Sequence, residues 1–125
     1  MEAFLCPDPE KPARCYHFII SATGALWDGE TKDAMDPADS KWNSGAEVKT
    51  FRENNRWIAQ IRIPLQDLGL LGAKVGQSLA ANFYRNRYCG KPVTYMAWSP
   101  SREPSHFCPK DFGLLHFGAD IPKGR

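Results

Sequence analysis

No stretch of this chain approaches the roughly 20 consecutive apolar residues that a bilayer-spanning helix needs, so membrane insertion is not expected. The opening run Met1-Glu2-Ala3-Phe4-Leu5-Cys6-Pro7 has neither a basic segment nor a continuous apolar one, and does not read as a secretory signal peptide. The protein therefore either stays inside the cell or takes its export signal from sequence preceding this chain. An excess of charge of one sign is also lacking. Sixteen basic against fourteen acidic side chains leave a formal +2, too little for a broad footprint on nucleic acid or an anionic membrane.

Metal and cofactor signatures are equally scarce. The three histidines, His17, His106 and His116, never fall at the close H-x-H spacing of a metal-dependent jelly-roll enzyme of the cupin kind, which stays the rival enzymatic reading. A haem held by a histidine with Met35 or Met96 would lack any CxxCH anchor. None of the fourteen carboxylates stands in a string that reads as the acid pair of a glycosidase, so no catalytic residue is assigned.

What the chain has in plenty is breakers. Ten glycines and ten prolines among 125 residues leave little room for long helices and favour short strands joined by turns. The length fits one domain. Alternation of apolar and polar residues marks strands near 2–6, 15–21, 25–28, 46–51, 56–63, 78–87, 93–98 and 112–117. Pro64 to Gly69 reads as one helical turn, and 29–45 and 99–110 as polar loops. In 56–63, Trp57, Ala59, Ile61 and Ile63 share a face, which places Trp57 in the core. The expected fold is an all-β antiparallel sandwich of jelly-roll character over residues 1–118, with 119–125 a frayed tail.

The four cysteines form no CxxC pair. Cys6 and Cys15 flank the proline-rich turn 7–12, where a disulfide and two free thiols are both compatible with the sequence. Cys89 and Cys108 lie in separate loops, and the compartment stays open on this evidence.

Five strings, in order, resemble carbohydrate-binding module family 9 and the bacterial domains similar to it. Residues 2–9, EAFLCPDP, resemble "v-E-v-F-l-x-P-d"; residues 16–24, YHFIISATG, resemble "Y-x-F-x-v-N-x-x-G", with Ser21 in place of the asparagine and Asp28 following. WIAQIRIP at 57–64, with Leu68-Gly69, resembles "W-t-x-E-i-a-I-P-…-L-G". Val75-Gly76, then Asn82-Phe83 with Arg85 and Arg87, resembles "G-d-x-w-g-f-N-f-x-R". Last, Trp98-Ser99-Pro100-Ser101 and the run 109–115, PKDFGLL, resemble "W-S-P-t … F-H-x-P-x-x-F-G-x-L".

The resemblance implies a non-catalytic β-sandwich that binds sugars, especially β-linked glucans and xylans, as an accessory module of a glycoside hydrolase or surface protein. It places the chain outside the cytoplasm, in carbohydrate catabolism, with structural calcium often present. Members carry two or three further strands, and a tryptophan, before the string matched by residues 2–9. Against that pattern the domain is shortened at its N-terminus, and the open edge left behind is expected to favour self-association.

Sugar recognition needs a flat aromatic face and planar polar groups that pair with neighbouring hydroxyls. On the resemblance, Trp98 is the aromatic candidate, against the alternative of a core tryptophan ending strand 93–98. Trp42 and Trp27 are substitutes, Trp42 because an indole in a polar loop suggests an exposed contact. Glu2, His17, Arg85 and Arg87 are the polar candidates. Arg85 and Arg87 have the same strand parity, so both project to one face, and Arg85 continues the face of Leu79, Ala81 and Phe83. Glu2 reads alternatively as a surface carboxylate at a frayed end, and His17 as a surface histidine. Asp28, Asp33 and Asp36 are weak candidates for calcium, without EF-hand spacing, in a segment that reads first as a solvated acidic loop.

Overall fold

The computed structural model describes residues 1–33, 36–102 and 107–119. Their eight strands are β1 (Glu2–Cys6), β2 (Cys15–Ile20), β3 (Leu26–Thr31), β4 (Glu47–Glu53), β5 (Arg56–Arg62), β6 (Ser78–Arg87), β7 (Thr94–Ala97) and β8 (Gly113–His116). Every pairing is antiparallel. β3-β2-β1-β6-β7 form one sheet, to which β8 adds on β6, and β4-β5 form a separate hairpin. The all-β antiparallel sandwich expected from the alternation is what the chain adopts. Among the described residues no helix is long and apolar enough to cross a membrane.

The ten-residue β6 organises the sheet. One edge pairs with β1; the other is shared, Ser78–Ala81 with β8 and Tyr84–Arg87 with β7. Asn82 sits at the junction, fully buried. Its amide accepts from the backbone N–H of Ser99 and donates to the Ser99 carbonyl, both at 2.8 Å, and donates to the Tyr84 hydroxyl at 2.8 Å. A side-chain amide thus supplies the pairing that neither short strand reaches to make.

The period of two then sorts the residues. Ala3 and Leu5 of β1, Tyr16 and Phe18 of β2, and Leu79 and Ala81 of β6 face the hairpin, and with Leu68 they make the main core, against which Ala46, Ile61 and Ile63 pack. Phe18 is completely buried, and truncating it to alanine costs about 3–5 kcal/mol. The opposite face of the same strands carries Cys6, Cys15 and Ala80, covered by Phe107 and Phe112, which also lie against Phe4. Both faces of β1 are therefore covered, which is why its sequence is almost wholly apolar while β5 alternates.

The helical turn is a 3₁₀ turn, Leu65–Leu68, closed by Gly69 at φ 67°, a left-handed conformation suited to glycine. Asp67 of this turn accepts from the Gly45 N–H at 2.8 Å and so anchors the start of the hairpin. Two differences from the sequence reading stand out. β3 runs to Thr31, three residues into the expected loop, because Gly29, Glu30 and Thr31 pair with β2 and Glu30 also bridges to Asp39. A second 3₁₀ turn, Pro109–Asp111, occupies the end of the expected loop 99–110.

Of the two states open to Cys6 and Cys15, the fold has the disulfide, while Cys89 and Cys108 are free. Closing so short a loop stabilises the fold by about 2–3 kcal/mol in the chain-entropy view. β1 is not an open edge, since β2 and β6 flank it; the outer strands of the large sheet are β3 on one side and β7 and β8 on the other. Of the expected tail, Asp120 to Arg125 lie outside the described residues, as do Met35 and His106.

Candidate functional site

The five sequence candidates gather toward one end of β6, but the sheet divides them. Register puts Arg85 and Arg87 on the hairpin face, in line with Leu79, Ala81 and Phe83. Trp98 joins them. Its backbone N–H donates to the Phe83 carbonyl at 2.9 Å, its ring meets Phe83 edge-on at 5.7 Å, and it lies over Gly113. Trp98 is 52% exposed, so it is not a core residue.

Glu2 and His17 occupy the opposite face. The Glu2 carboxylate joins His17 Nε2 at 3.0 Å through one oxygen and accepts from the Asn86 amide at 2.5 Å through the other. Both side chains are largely covered, Glu2 at 16% and His17 at 17% exposure, and His17 stacks on Phe4 with ring centres 4.0 Å apart. Neither is the surface residue that the alternative readings described. Both lie on the sheet face opposite Arg85, Arg87 and Trp98, where Glu2 holds Asn86, the residue between the two arginines.

On the face of Arg85 and Arg87, the tip of the hairpin and the end of β6 border an open cleft of about 390 Å³. Arg52, Arg56 and Trp57 line it from the hairpin, and Arg85, Arg87 and Tyr88 from β6 and the turn beyond. Trp57, expected in the core, is instead a half-buried wall of this cleft, because β5 reaches beyond the core at the end where Arg52 and Trp57 are cross-strand partners. Arg56 is paired with Glu53. Among the described residues Arg52, Arg85 and Arg87 have no carboxylate in ion-pair contact, although Arg85 touches the Met96 sulfur at 3.9 Å. Cys89, also on the cleft, has its thiol pKa lowered by a hydrogen bond from Arg87 and by that guanidinium's charge.

The other tryptophans take different places. Trp42 is not an exposed loop indole: it packs on Tyr16 at 4.8 Å and Phe18 at 6.1 Å, half-buried against the main core. Trp27 is 38% exposed on the Glu2 face, edge-on to His17 at 5.3 Å. The residues that sequence reasoning missed are Arg52, Trp57 and Asn86. Cross-strand parity in the hairpin pairs Arg52 with Trp57 and was legible; that both meet β6 depends on how the hairpin lies on the sheet.

Among the described residues no three His, Cys, Asp or Glu side chains converge on a point that would hold a metal, and Asp28 Oδ2 accepts from the Ser44 N–H at 2.8 Å and hydroxyl at 2.6 Å, tying β3 to the hairpin's leading segment. His17 is engaged by Glu2, and His116 by the Ser78 hydroxyl at 2.6 Å.

No protein-family model matches the chain, and no curated protein matches it. Its fold is similar to that of a "putative carbohydrate-binding protein" from Bacteroides uniformis, with a TM-score of 0.65 and 19% identity. The likeness covers 93% of this chain and 59% of that one, so this chain spans about three-fifths of the other protein's length. At that identity the likeness is one of fold: an antiparallel β-sandwich of the kind that this carbohydrate-binding candidate uses.

Proposed function

We propose that this chain is a non-catalytic carbohydrate-binding module. The observation that carries the reading is the placement of an exposed indole, Trp98, on the same sheet face as Arg85 and Arg87, the two arginines of β6 that line a cleft walled by a second tryptophan, Trp57. An indole presents a flat apolar surface to the C–H face of a pyranose, and a guanidinium offers paired donors to adjacent ring substituents. Trp98 rests on Gly113 and against Phe83, so its orientation is set before a ligand arrives and little side-chain entropy is lost on binding. The fold likeness to a protein described as carbohydrate-binding supports the same reading.

The ligand class is a β-linked glucan or xylan, and the chain serves as an accessory module of a glycoside hydrolase or surface protein outside the cytoplasm. Its disulfide supports that location, since such bonds persist in oxidising compartments. The test is a tryptophan-fluorescence titration with cellobiose, xylobiose and a glucuronic-acid-bearing xylobiose, with calcium present and removed. A saturable change with at least one sugar, lost in Trp98→Ala, is the expected result. A folded protein that responds to none of the three would overturn the proposal and leave a scaffold or interaction module.

A further inference from the structure

We infer that the cleft between the hairpin tip and the end of β6 selects an anionic sugar, a pyranose bearing a carboxylate or a sulfate ester. This rests on the carbohydrate reading above and adds to it the charge of the ligand.

The cleft concentrates positive charge. Four arginines against one glutamate leave +3 on its lining, while the entire chain carries only +2. The remainder of the protein is therefore slightly acidic in sum. The single carboxylate is already committed, since Glu53 pairs with Arg56. That leaves Arg52, Arg85 and Arg87 aimed around one space without an acidic partner among the described residues. Arg87 draws the thiol of Cys89, which also lines the cleft, toward its ionised form. A group that stabilises a thiolate stabilises a carboxylate or sulfate in the same place.

Geometry fits the chemistry. A guanidinium matches a carboxylate with two parallel N–H···O bonds, and charge-assisted pairs of this kind are about twice as strong as neutral ones. Trp57 provides the apolar wall that a pyranose ring needs beside its charged substituent. At about 390 Å³ the cleft is of the scale that holds a small ligand, one or two sugar rings, and not an extended polyanion. That size argues against a nucleic-acid strand, which requires positive charge spread along a track of several nucleotides. The cleft also has a firm back wall. Glu2 grips Asn86 from behind, so the stretch of β6 that carries Arg85 and Arg87 is fixed from the other side of the sheet.

Isothermal titration of the full chain tests the inference. Xylobiose, the same disaccharide bearing glucuronate, and glucose 6-sulfate are each titrated at low and at physiological ionic strength, with a short oligothymidylate as a further arm. The acidic sugars are expected to bind about tenfold more tightly than xylobiose, the worth of one charge-assisted pair, with the advantage shrinking as salt rises. Comparison of the carboxylate and sulfate arms shows which anion is preferred. Arg87→Gln and Arg52→Gln are each expected to weaken the acidic sugars by more than they weaken xylobiose, so that most of the preference is lost. Alkylation of Cys89 should slow when the acidic sugar is bound, which locates it in this cleft.

Equal affinity for neutral and acidic sugars, or arginine variants that keep the preference, would overturn the anionic ligand and leave carbohydrate binding standing. Tighter binding of the oligothymidylate than of either acidic sugar would also overturn it. No heat with any sugar in a sample that unfolds cooperatively would overturn both readings.

Discussion

Gly113 leaves room for Trp98: a β-carbon at position 113 would stand 2.4 Å from Cζ3 of the indole. The ring lies directly on the backbone of β8, and it meets the Phe83 ring edge-on. The glycine in the run 109–115 thus has a specific reason, close approach, and that approach orients the tryptophan proposed to meet sugar.

Gly113→Ala should therefore displace the indole without unfolding the sheet, because the far end of an exposed side chain is what must give. The expected outcome is a shift in tryptophan emission and a weaker sugar response, with a cost in urea unfolding of about 1 kcal/mol. An unchanged emission spectrum would contradict the contact.

Asn82 is where stability should be most sensitive to a polar change. Replacing it with leucine strands the Ser99 N–H and carbonyl and the Tyr84 hydroxyl together, each formerly bonded to the amide. Unpaired buried groups cost about 1–3 kcal/mol each, partly relieved by water at the rim, so a loss of about 3 kcal/mol is expected in denaturant titration.

Acid should loosen the segment that leads into β8. Arg102 donates from Nε to Asp111 Oδ1 at 2.8 Å and from its backbone N–H to Oδ2 at 2.9 Å. Those bonds, the side-chain one first, lower the Asp111 pKa from 3.8 to about 2. A depressed carboxylate pKa stabilises the fold above the unfolded value and loses that contribution as pH falls through the folded one. Stability measured against pH should thus fall between about 4 and 2. Arg102→Gln should flatten that part of the profile.

Cys89 reports on Arg87. Its lowered pKa predicts alkylation by iodoacetamide at a pH below that of an ordinary exposed thiol, and Arg87→Gln should move the rate profile upward.

Loss of the Cys6–Cys15 bond should cost about 2–3 kcal/mol, because the bond closes the proline turn between β1 and β2. Urea midpoints of the oxidised protein and of Cys6→Ala/Cys15→Ala would measure it.

Much of this protein was determined by sequence alone. The strands follow from period-two alternation, and β6, Ser78–Arg87, has the limits that alternation marks. The shared parity of Arg85 and Arg87 also follows, since a strand alternates whatever it pairs with. Strand ends that rest on pairing were not legible in this way. β3 continues through Gly29 and Glu30, a polar stretch with no pattern of its own, because β2 and Asp39 supply partners.

Tertiary structure alone decided which candidates meet. Glu2 and His17 resemble sugar-contact positions as the arginines do, yet antiparallel register sends them to the other face of the sheet, where His17 joins Glu2 and Glu2 holds Asn86. Trp57 and Trp42 exchanged their expected places for a related reason. Parity says which side of its own strand a residue takes, but whether that side meets core or open cleft depends on where the hairpin ends over β6. Alternation is a local property of the backbone; which faces are covered is set by packing between segments far apart in the chain.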